Sequence, residues 1–329
     1  MERLALADAS QVAEVRRRAV ALGRQRDFDE NDIGRLALVV TEMANNGVRH
    51  GAAAEMLLRG AEVDEGGYVE SICIDRGRGM ADVTACLRDG FSTAGTPGTG
   101  LGAIRRQSDF FDLFTVPGHG TAILARVAAR GRLGDRPHLA AIGVPKRGED
   151  VCGDAWSVLR QGPRAWCLVA DGLGHGPLAA EAAQEAVRLF RKPPHASPAA
   201  LVERMHHGLR ATRGAAVAVA LLDLEEGSVT YCGLGNIVGA LAAGGQSRRL
   251  VSHNGTAGLR SARIQDFAYP FSGEPVLVMH SDGLATSWSF DNYPGLLSRD
   301  PGLIAAVLLR DHERGRDDAT ILVAAPATR

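Results

Sequence analysis

The stretch from Asp154 to Asp171, DAWSVLRQGPRAWCLVAD, contains two apolar runs separated by QGPR at 161–164. A Gly-Pro pair between such runs is typical of a tight turn, so the stretch predicts a β-hairpin. Paired residues of an antiparallel hairpin have numbers with a constant sum, and this turn therefore places Asp154 opposite Asp171. Like charges directly opposite are destabilising, by roughly 3 kcal/mol at about 5 Å and an effective dielectric near 20. A divalent cation between them would convert the repulsion into a binding site, whereas a slipped register would leave both carboxylates solvated.

Further carboxylates stand at the ends of two other strand-like runs. Asp282 follows the run VLVMHS, and Asp317 and Asp318 precede the run ATILV. Acidic residues at four such positions are difficult to explain as ordinary turns. A hydrolase that holds two Mg²⁺ or Mn²⁺ ions explains them, because hard cations prefer carboxylate oxygens and activate water.

The order of these motifs resembles that of the metal-dependent type-2C protein phosphatases. The version DGLGHG at 171–176 is similar to the SpoIIE and RsbX branch, over roughly residues 138–326. The resemblance implies an α-β-β-α sandwich with catalytic Asp154 and Asp171. The implied metal ligands are Asp154, Asp171, the Gly172 carbonyl, Asp282, and Asp317 or Asp318. His175 either assists protonation of the leaving group or holds its loop by a hydrogen bond, and the second role is favoured.

The first half of the chain contains three weaker signals. Glu42 and Asn46 lie four residues apart on a predicted helix and share one face. Asp75 follows an apolar strand and opens DRGRG, in which glycines let the backbone approach a flat ring closely. The loop GTPGTGLG at 95–102 leads into a helix, an arrangement that suits phosphate binding. Taken singly, these segments also fit an exposed helix face, a plain turn and a flexible loop.

In this order the three signals resemble the N, G1 and G2 boxes of the GHKL ATPase superfamily. The spacing is similar to that of the small serine kinases of the RsbT and RsbW type, over roughly residues 5–127. The resemblance implies ATP and Mg²⁺, with Glu42 as catalytic base, Asn46 as magnesium ligand and Asp75 as adenine contact. The residues that would shape the nucleotide pocket are Gly77, Gly79, Gly98, Thr99, Gly100, Leu101 and Gly102.

The bulk properties predict two α+β domains. The 329 residues suffice for an ATP-binding α/β sandwich at 1–128, a linker at 129–137 and a phosphatase domain at 138–329. The formal net charge of -1 argues against non-specific nucleic-acid binding. Five widely spaced cysteines do not suggest a zinc site or a disulfide framework. The N-terminus resembles no signal peptide and no apolar run is long enough to span a bilayer, so we expect a cytoplasmic protein.

Together the two resemblances imply a bifunctional regulator of a bacterial partner-switching pathway for stress or sigma-factor control. One domain would phosphorylate Ser or Thr on a partner, and the other would remove such phosphates. The implied partners are STAS-domain antagonists or scaffold proteins and sigma-factor regulators, with no nucleic acid or membrane. Two alternatives remain: the ATPase-like domain only binds a partner in a nucleotide-dependent way, or it gates the phosphatase.

Overall fold

The computed structural model describes residues 1–63, 66–87, 100–131, 133, 138–194, 196–243, 246–261, 263–271 and 275–325. Contacts divide the chain into two compact units. The first comprises Met1–Pro137 and Ser298–Arg310, and the second comprises His138–Leu297 and Asp311–Arg329. In the sequence, the first boundary between the units falls at the end of the predicted linker. The segment Ser298–Arg310 groups with the first unit although it lies within the predicted phosphatase domain.

The first unit is built on a five-stranded antiparallel sheet of order β1-β2-β3-β5-β4. Its elements are β1 (Glu2–Leu6), α1 (Ala9–Arg24), α2 (Glu30–His50), β2 (Ala54–Val63), β3 (Gly66–Asp75), α3 (Val83–Cys86), α4 (Gly100–Gln107), β4 (Phe110–Thr115), β5 (Thr121–Ala128) and a 3-10 turn (Ala129–Gly131).

The second unit is a sandwich of two sheets, of orders β13-β10-β9-β8-β7, with β16 beside β10, and β12-β11-β17-β18-β6. Its elements are β6 (Leu139–Val144), β7 (Asp154–Gln161), β8 (Arg164–Gly172), α5 (Pro177–Arg191), α6 (Pro198–Gly208), β9 (Ala215–Asp223), β10 (Ser228–Leu234), β11 (Val238–Ala243), β12 (Gln246–Arg249), β13 (Ser252–His253), β14 (Gly255–Thr256), β15 (Arg260–Ser261), β16 (Phe267–Pro270), β17 (Val276–His280) and β18 (Ala319–Ala324), with 3-10 turns at Leu209–Ala211, Phe290–Asn292 and Leu296–Ser298. Helix α7 (Pro301–His312) lies between β17 and β18 in the chain, but all except its last two residues group with the first unit.

Helix α2 carries the side chains that connect the core of the first unit to its pocket. Asp29 caps the helix by accepting the amide of Asp32, as its position before the apolar pattern predicts. Leu36, Val40 and Met43 are fully buried against the sheet. The polar residues Glu42 and Asn46, on the adjoining face of the helix, are thereby held next to the core.

Strand β5 is buried on both faces. Ile123, Ala125 and Val127 belong to the core beneath the helices, whereas Leu124 points the other way. On that second face the segment Ser298–Arg310 approaches so closely that a methyl group at Gly302 would lie 2.8 Å from Leu124 Cδ1. This segment therefore supplies a layer of the first unit from a distant part of the chain.

A buried ionic cluster joins the segment to the sheet. Arg126 donates two hydrogen bonds of 2.8 Å to the Asp300 carboxylate and one of 2.7 Å to Glu70 Oε2. Arg59 donates to Glu70 Oε1 at 2.6 Å. Although burial opposes ionisation of Glu70, the two guanidinium groups outweigh it and lower the pKa of that carboxyl.

The core of the second unit lies between its sheets, and helices α5 and α6 cover the outer face of the first sheet. This arrangement confirms the predicted mixed fold with a two-sheet sandwich. No helix in the described part of the chain is long and apolar enough to cross a membrane.

Candidate functional site

The hairpin β7–β8 has the predicted register. Gln161 pairs with Arg164 at the turn, and Asp154 pairs with Asp171 at the open end. Asp154 is only 6% exposed, so its carboxylate has little access to bulk water. The hairpin therefore holds two acidic side chains side by side at one edge of the sandwich.

The strands β17 and β18 bring the other carboxylates to the same edge. They pair antiparallel from Leu277 and Ala324 to His280 and Ile321, so the end of β17 lies beside the start of β18. Ser281 links the two sheets, since its hydroxyl donates to Asp154 Oδ2 at 2.6 Å and accepts the Thr320 amide at 3.0 Å.

The aspartates at this edge perturb one another. Burial and the charge of Asp154 raise the pKa of Asp171, and burial is also the main reason why the pKa of Asp154 is raised. Burial and repulsion from Asp317 raise the pKa of Asp282, against the opposing effect of Arg314. Burial raises the pKa of Asp318 as well. A cluster in which these four carboxyls resist ionisation favours a bound cation.

Asp318 provides a specific test of whether a metal fits. Its Oδ1 accepts the Lys146 amide at 2.9 Å. Its Oδ2 is buried and accepts no hydrogen bond of good geometry from the described residues, although the Gly153 amide lies close enough to the carboxylate to favour its ionisation. Asp317 instead uses Oδ1 to accept the Asp318 amide. A buried carboxylate oxygen without a partner is costly, and a hard cation would satisfy it. Of the two neighbouring aspartates, Asp318 thus has the donor atom better suited to a metal.

The donor chemistry fits Mg²⁺ or Mn²⁺, although the side chains do not converge on one point. Among the described residues, no three His, Cys, Asp or Glu side chains are spaced to share a metal ion. Gly172, the predicted carbonyl ligand, ends β8 where a methyl group would lie 2.0 Å from the Ala179 carbonyl oxygen, so only glycine fits there.

Two further contacts support the site, and the sequence analysis missed the first of them. Asn236 donates to Asp282 Oδ2 at 2.7 Å. Its only sequence signal is its position after β10 and Gly235, a glycine with φ of 109°. His175 Nδ1 lies 2.6 Å from Glu149 Oε1, a contact that suits the predicted loop-holding role.

The first unit contains a cavity of about 470 Å³ between α2, the end of β3 and α4. Such a volume is within the usual range of small-molecule and cofactor sites. Of the predicted nucleotide-binding residues, Asn46, Asp75, Gly79, Gly100 and Leu101 line it. The cavity therefore brings together one or more residues from each of the three predicted motifs.

Asp75 lies at the cavity wall with one oxygen already engaged. Its Oδ1 accepts the Gly77 amide at 2.7 Å, and burial raises the pKa of the carboxyl against this hydrogen bond. Gly79 has φ of 67°, and a methyl group there would lie 2.4 Å from the Val116 carbonyl oxygen. Both glycines thus take part in the tight turn after β3, which was the alternative to the predicted close approach to a flat ring.

The remaining predicted nucleotide-binding residues do not line the cavity in the described part of the chain, or lie outside that part. Among the described residues, Glu42, Gly77 and Gly102 are not part of the cavity wall. A methyl group at Gly100 would lie 2.9 Å from Glu42 Oε2, so the start of α4 lies next to that carboxylate. Gly98 and Thr99 lie outside the described residues.

Comparison with protein families agrees with this division of sites. Residues 5–127 match the histidine kinase-like ATPase domain. Residues 161–326, just over half of the chain, match the stage II sporulation protein E (SpoIIE) family.

Individual relatives match each half of the chain. The phosphoserine phosphatase RsbX of Bacillus subtilis is 26% identical over 140 residues, which cover 42% of this chain and 70% of that protein. The serine/threonine-protein kinase RsbT of the same organism is 30% identical over 106 residues, covering 32% of this chain and 78% of that protein.

One solved structure, described as the bacterial stressosome, a modular system adapted to control secondary messenger signaling, has a similar chain. It has a TM-score of 0.52 and 25% identity, and the match covers 56% of this chain and 97% of that one. The chain thus belongs to the SpoIIE family and joins its phosphatase-type domain to an N-terminal histidine kinase-like ATPase domain of the RsbT type.

Proposed function

We propose that this chain is a bifunctional partner-switching regulator whose second unit is a metal-dependent protein phosphatase for phosphoserine or phosphothreonine. The observation that carries the proposal is the pairing of Asp154 with Asp171 beside the unpartnered oxygen of Asp318. Similarity to a phosphoserine phosphatase supports the same assignment.

The acidic edge would hold two Mg²⁺ or Mn²⁺ ions through Asp154, Asp171, the Gly172 carbonyl, Asp282 and Asp318. When bound, these ions supply Lewis acidity that makes water nucleophilic at neutral pH and stabilises phosphoryl oxygens. Residues around the carboxylates orient them: Ser281 holds Asp154 and Asn236 holds Asp282. Such outer contacts typically affect metal affinity by about 10-fold to 100-fold.

The first unit would bind ATP and transfer its terminal phosphate to a protein hydroxyl. In this role Asp75 accepts a hydrogen bond from the adenine amine, Asn46 ligates Mg²⁺ and Glu42 takes the proton of the attacking Ser or Thr. Similarity to a serine/threonine-protein kinase and the cavity lined by Asn46 and Asp75 support this role.

The partners would be STAS-domain proteins of a stressosome-like or sigma-factor-controlling system. This assignment depends on the relatives alone, among them the kinase RsbT and the stressosome chain.

One observation favours a second function for the first unit, that of a nucleotide-dependent binding or gating module. Asn46 and Asp75 line the cavity, whereas Glu42 lies behind Gly100 and is not among the described residues of the cavity wall. A pocket that binds ATP without a base in reach of the acceptor would support docking or gating but no phosphoryl transfer.

The phosphatase is tested by measuring phosphate release from phosphoserine peptides with added Mn²⁺. We expect metal-dependent activity that the Asp171→Asn variant loses and the Asp291→Asn variant keeps, because Asp291 is exposed in a 3-10 turn outside the acidic edge. Wild-type protein that releases no phosphate from any peptide would contradict this function.

The kinase is tested with adjacent asparagines as a matched pair. Asn46 lines the nucleotide cavity, and Asn45 lines a different groove between α1 and α2. Asn46→Ala should weaken Mg-ATP binding and Asn45→Ala should not. Transfer of labelled phosphate to a STAS-domain protein, lost in Glu42→Gln with ATP binding intact, would distinguish a kinase from a binding module.

A further inference from the structure

An unpaired cation lies at the rim of the acidic edge. Arg213 is exposed, and its guanidinium makes no hydrogen bond or ion pair with any described residue. A methyl group at Gly174 would lie 3.4 Å from Arg213 Nη1. The side chain therefore extends over the loop that follows Asp171.

The backbone fixes Arg213 in this position. Gly172 pairs with Ala215 where β8 meets β9, and the Leu173 amide donates to the Gly214 carbonyl at 3.0 Å. Gly214 has φ of 81°, a conformation that other residues rarely adopt. The turn before β9 is thus tied to the end of β8, which carries two of the proposed metal ligands.

The negative charge of the site suggests that Arg213 helps to attract a phosphate group. Asp154, Asp171, Asp282, Asp317 and Asp318 carry five negative charges when ionised, and two divalent cations neutralise only four. Arg314 lies close enough to Asp282 to offset part of this negative charge. The exposed guanidinium of Arg213 at the rim adds attraction for a phosphate dianion, and its planar donors suit phosphate oxygens.

Two exposed leucines flank the same turn. Leu173 is 51% exposed and Leu259 is 54% exposed. Leu173 bonds to Gly214 through its amide, and Leu259 Cγ lies 3.2 Å from where a methyl group at Gly214 would stand. Single exposed leucines are ordinary, but two beside a free arginine at a candidate active site form an apolar and cationic rim.

We propose that this rim, composed of Leu173, Arg213 and Leu259, binds the protein substrate. Arg213 takes the phosphate of a phosphorylated Ser or Thr, and the leucines take an apolar side chain next to it in the substrate. The inference rests on the proposed phosphatase function and specifies its substrate class: phosphoprotein segments with an apolar residue adjacent to the phosphorylated one.

The test measures binding by fluorescence anisotropy, with the full chain and Mn²⁺ present. Two labelled peptides carry a non-hydrolysable phosphonate analogue of phosphoserine, followed by Leu in one and Gly in the other. We expect the wild type to bind the Leu peptide more tightly. Arg213→Ala should raise Kd for both peptides about 10-fold, with Arg213→Lys between the two. Leu259→Ser should reduce the preference for the Leu peptide, since one apolar contact is worth roughly 10-fold.

Matched controls separate rim-specific effects from general ones. Arg210→Ala removes an exposed arginine three residues earlier, and Leu224→Ser removes an exposed leucine at the β9–β10 turn. Both should bind like the wild type. Equal binding of the two peptides by the wild type, or an Arg213→Ala value of Kd within twofold of wild type, would overturn the inference. Hydrolysis of phosphoserine peptides, assayed in parallel, distinguishes this failure from failure of the phosphatase function itself.

Discussion

At the scale of single residues, Asp171 lies where ionisation of its carboxyl is unfavourable. It faces Asp154 across the ladder, and burial together with that charge raises the pKa of its carboxyl. The ordinary aspartate pKa is about 4. Above that pH the unfolded chain has lost a proton that the folded chain still holds. Metal-free stability should therefore fall as the pH rises from about 4 through the raised pKa.

The corresponding measurement is thermal unfolding with and without Mn²⁺ at pH 5.5 and pH 8. In EDTA, Asp171→Asn should raise Tm at pH 8 by about 3 °C, because folding then no longer requires an aspartate that is ionised in the unfolded chain to take up a proton. In the wild type, added Mn²⁺ should raise Tm more at pH 8 than at pH 5.5, since protons compete with the cation for the same oxygens. Asp291→Asn serves as the control. A gain from Mn²⁺ that is equal at both pH values would argue against a carboxylate site.

At the scale of elements, the segment that leads into α7 offers two ion pairs for comparison. Asp300 receives both terminal nitrogens of the fully buried Arg126, whereas Arg299 forms a 3.2 Å pair with Asp112 and is 45% exposed. Asp300→Ala leaves a buried guanidinium with one partner fewer and should lower the free energy of unfolding of the first unit by about 3 kcal/mol or more. Arg299→Ala should cost less than about 1 kcal/mol. Urea denaturation of the full chain measures both, and equal losses would contradict the cluster's role.

These elements also show how far the sequence could predict the fold. The pairing of Asp154 with Asp171 followed from the turn at 161–164, because a hairpin's register is local. The buried stripe of α2 followed from its helical period. In contrast, the start of α1 is difficult to predict, because Asp8, Ser10 and Gln11 are all polar; Asp8 caps the helix and Gln11 completes a capping box.

The candidate sites were predictable to a similar degree. Residues at strand ends, such as Asp75 and Asp282, were found because an apolar run precedes each of them. Asn236 was missed because its partner Asp282 is 46 residues away and only the pairing of distant strands brings them together. The proposed rim depends likewise on a contact between separate loops, which sequence spacing does not reveal.

At the scale of the whole molecule, the segment Ser298–Arg310 follows the second unit in the chain but packs with the first. Leu303, Ile304, Val307 and Leu308 predict a helix that is buried, and they are fully buried in the structure. Their pattern does not specify which core receives them, and they follow β17 of the second unit in the chain. Ser298–Arg310 nevertheless groups with the first unit, where Arg310 donates to the Asp75 carbonyl at 3.2 Å.

A fragment of residues 1–137 should therefore be an incomplete form of the first unit. Without Ser298–Arg310, it exposes Leu124 and leaves Arg126 with only Glu70, and we expect a lower Tm than that of the first unit in the full chain. A synthetic peptide of residues 298–312 should restore Tm by several degrees at saturation, because a ligand that binds only the folded state stabilises it by mass action. The same peptide with Asp300→Ala lacks the acceptor for Arg126 and should restore less.

Comparison of the two peptides shows whether Ser298–Arg310 is a required part of the first unit. If the native peptide raises Tm and the Asp300→Ala peptide does not, the buried ionic cluster is what attaches the segment. If neither peptide changes Tm and the fragment unfolds as cooperatively as the full chain, residues 1–137 form a complete unit. In that case the predicted boundary near residue 128 would describe the domains better than the packing does.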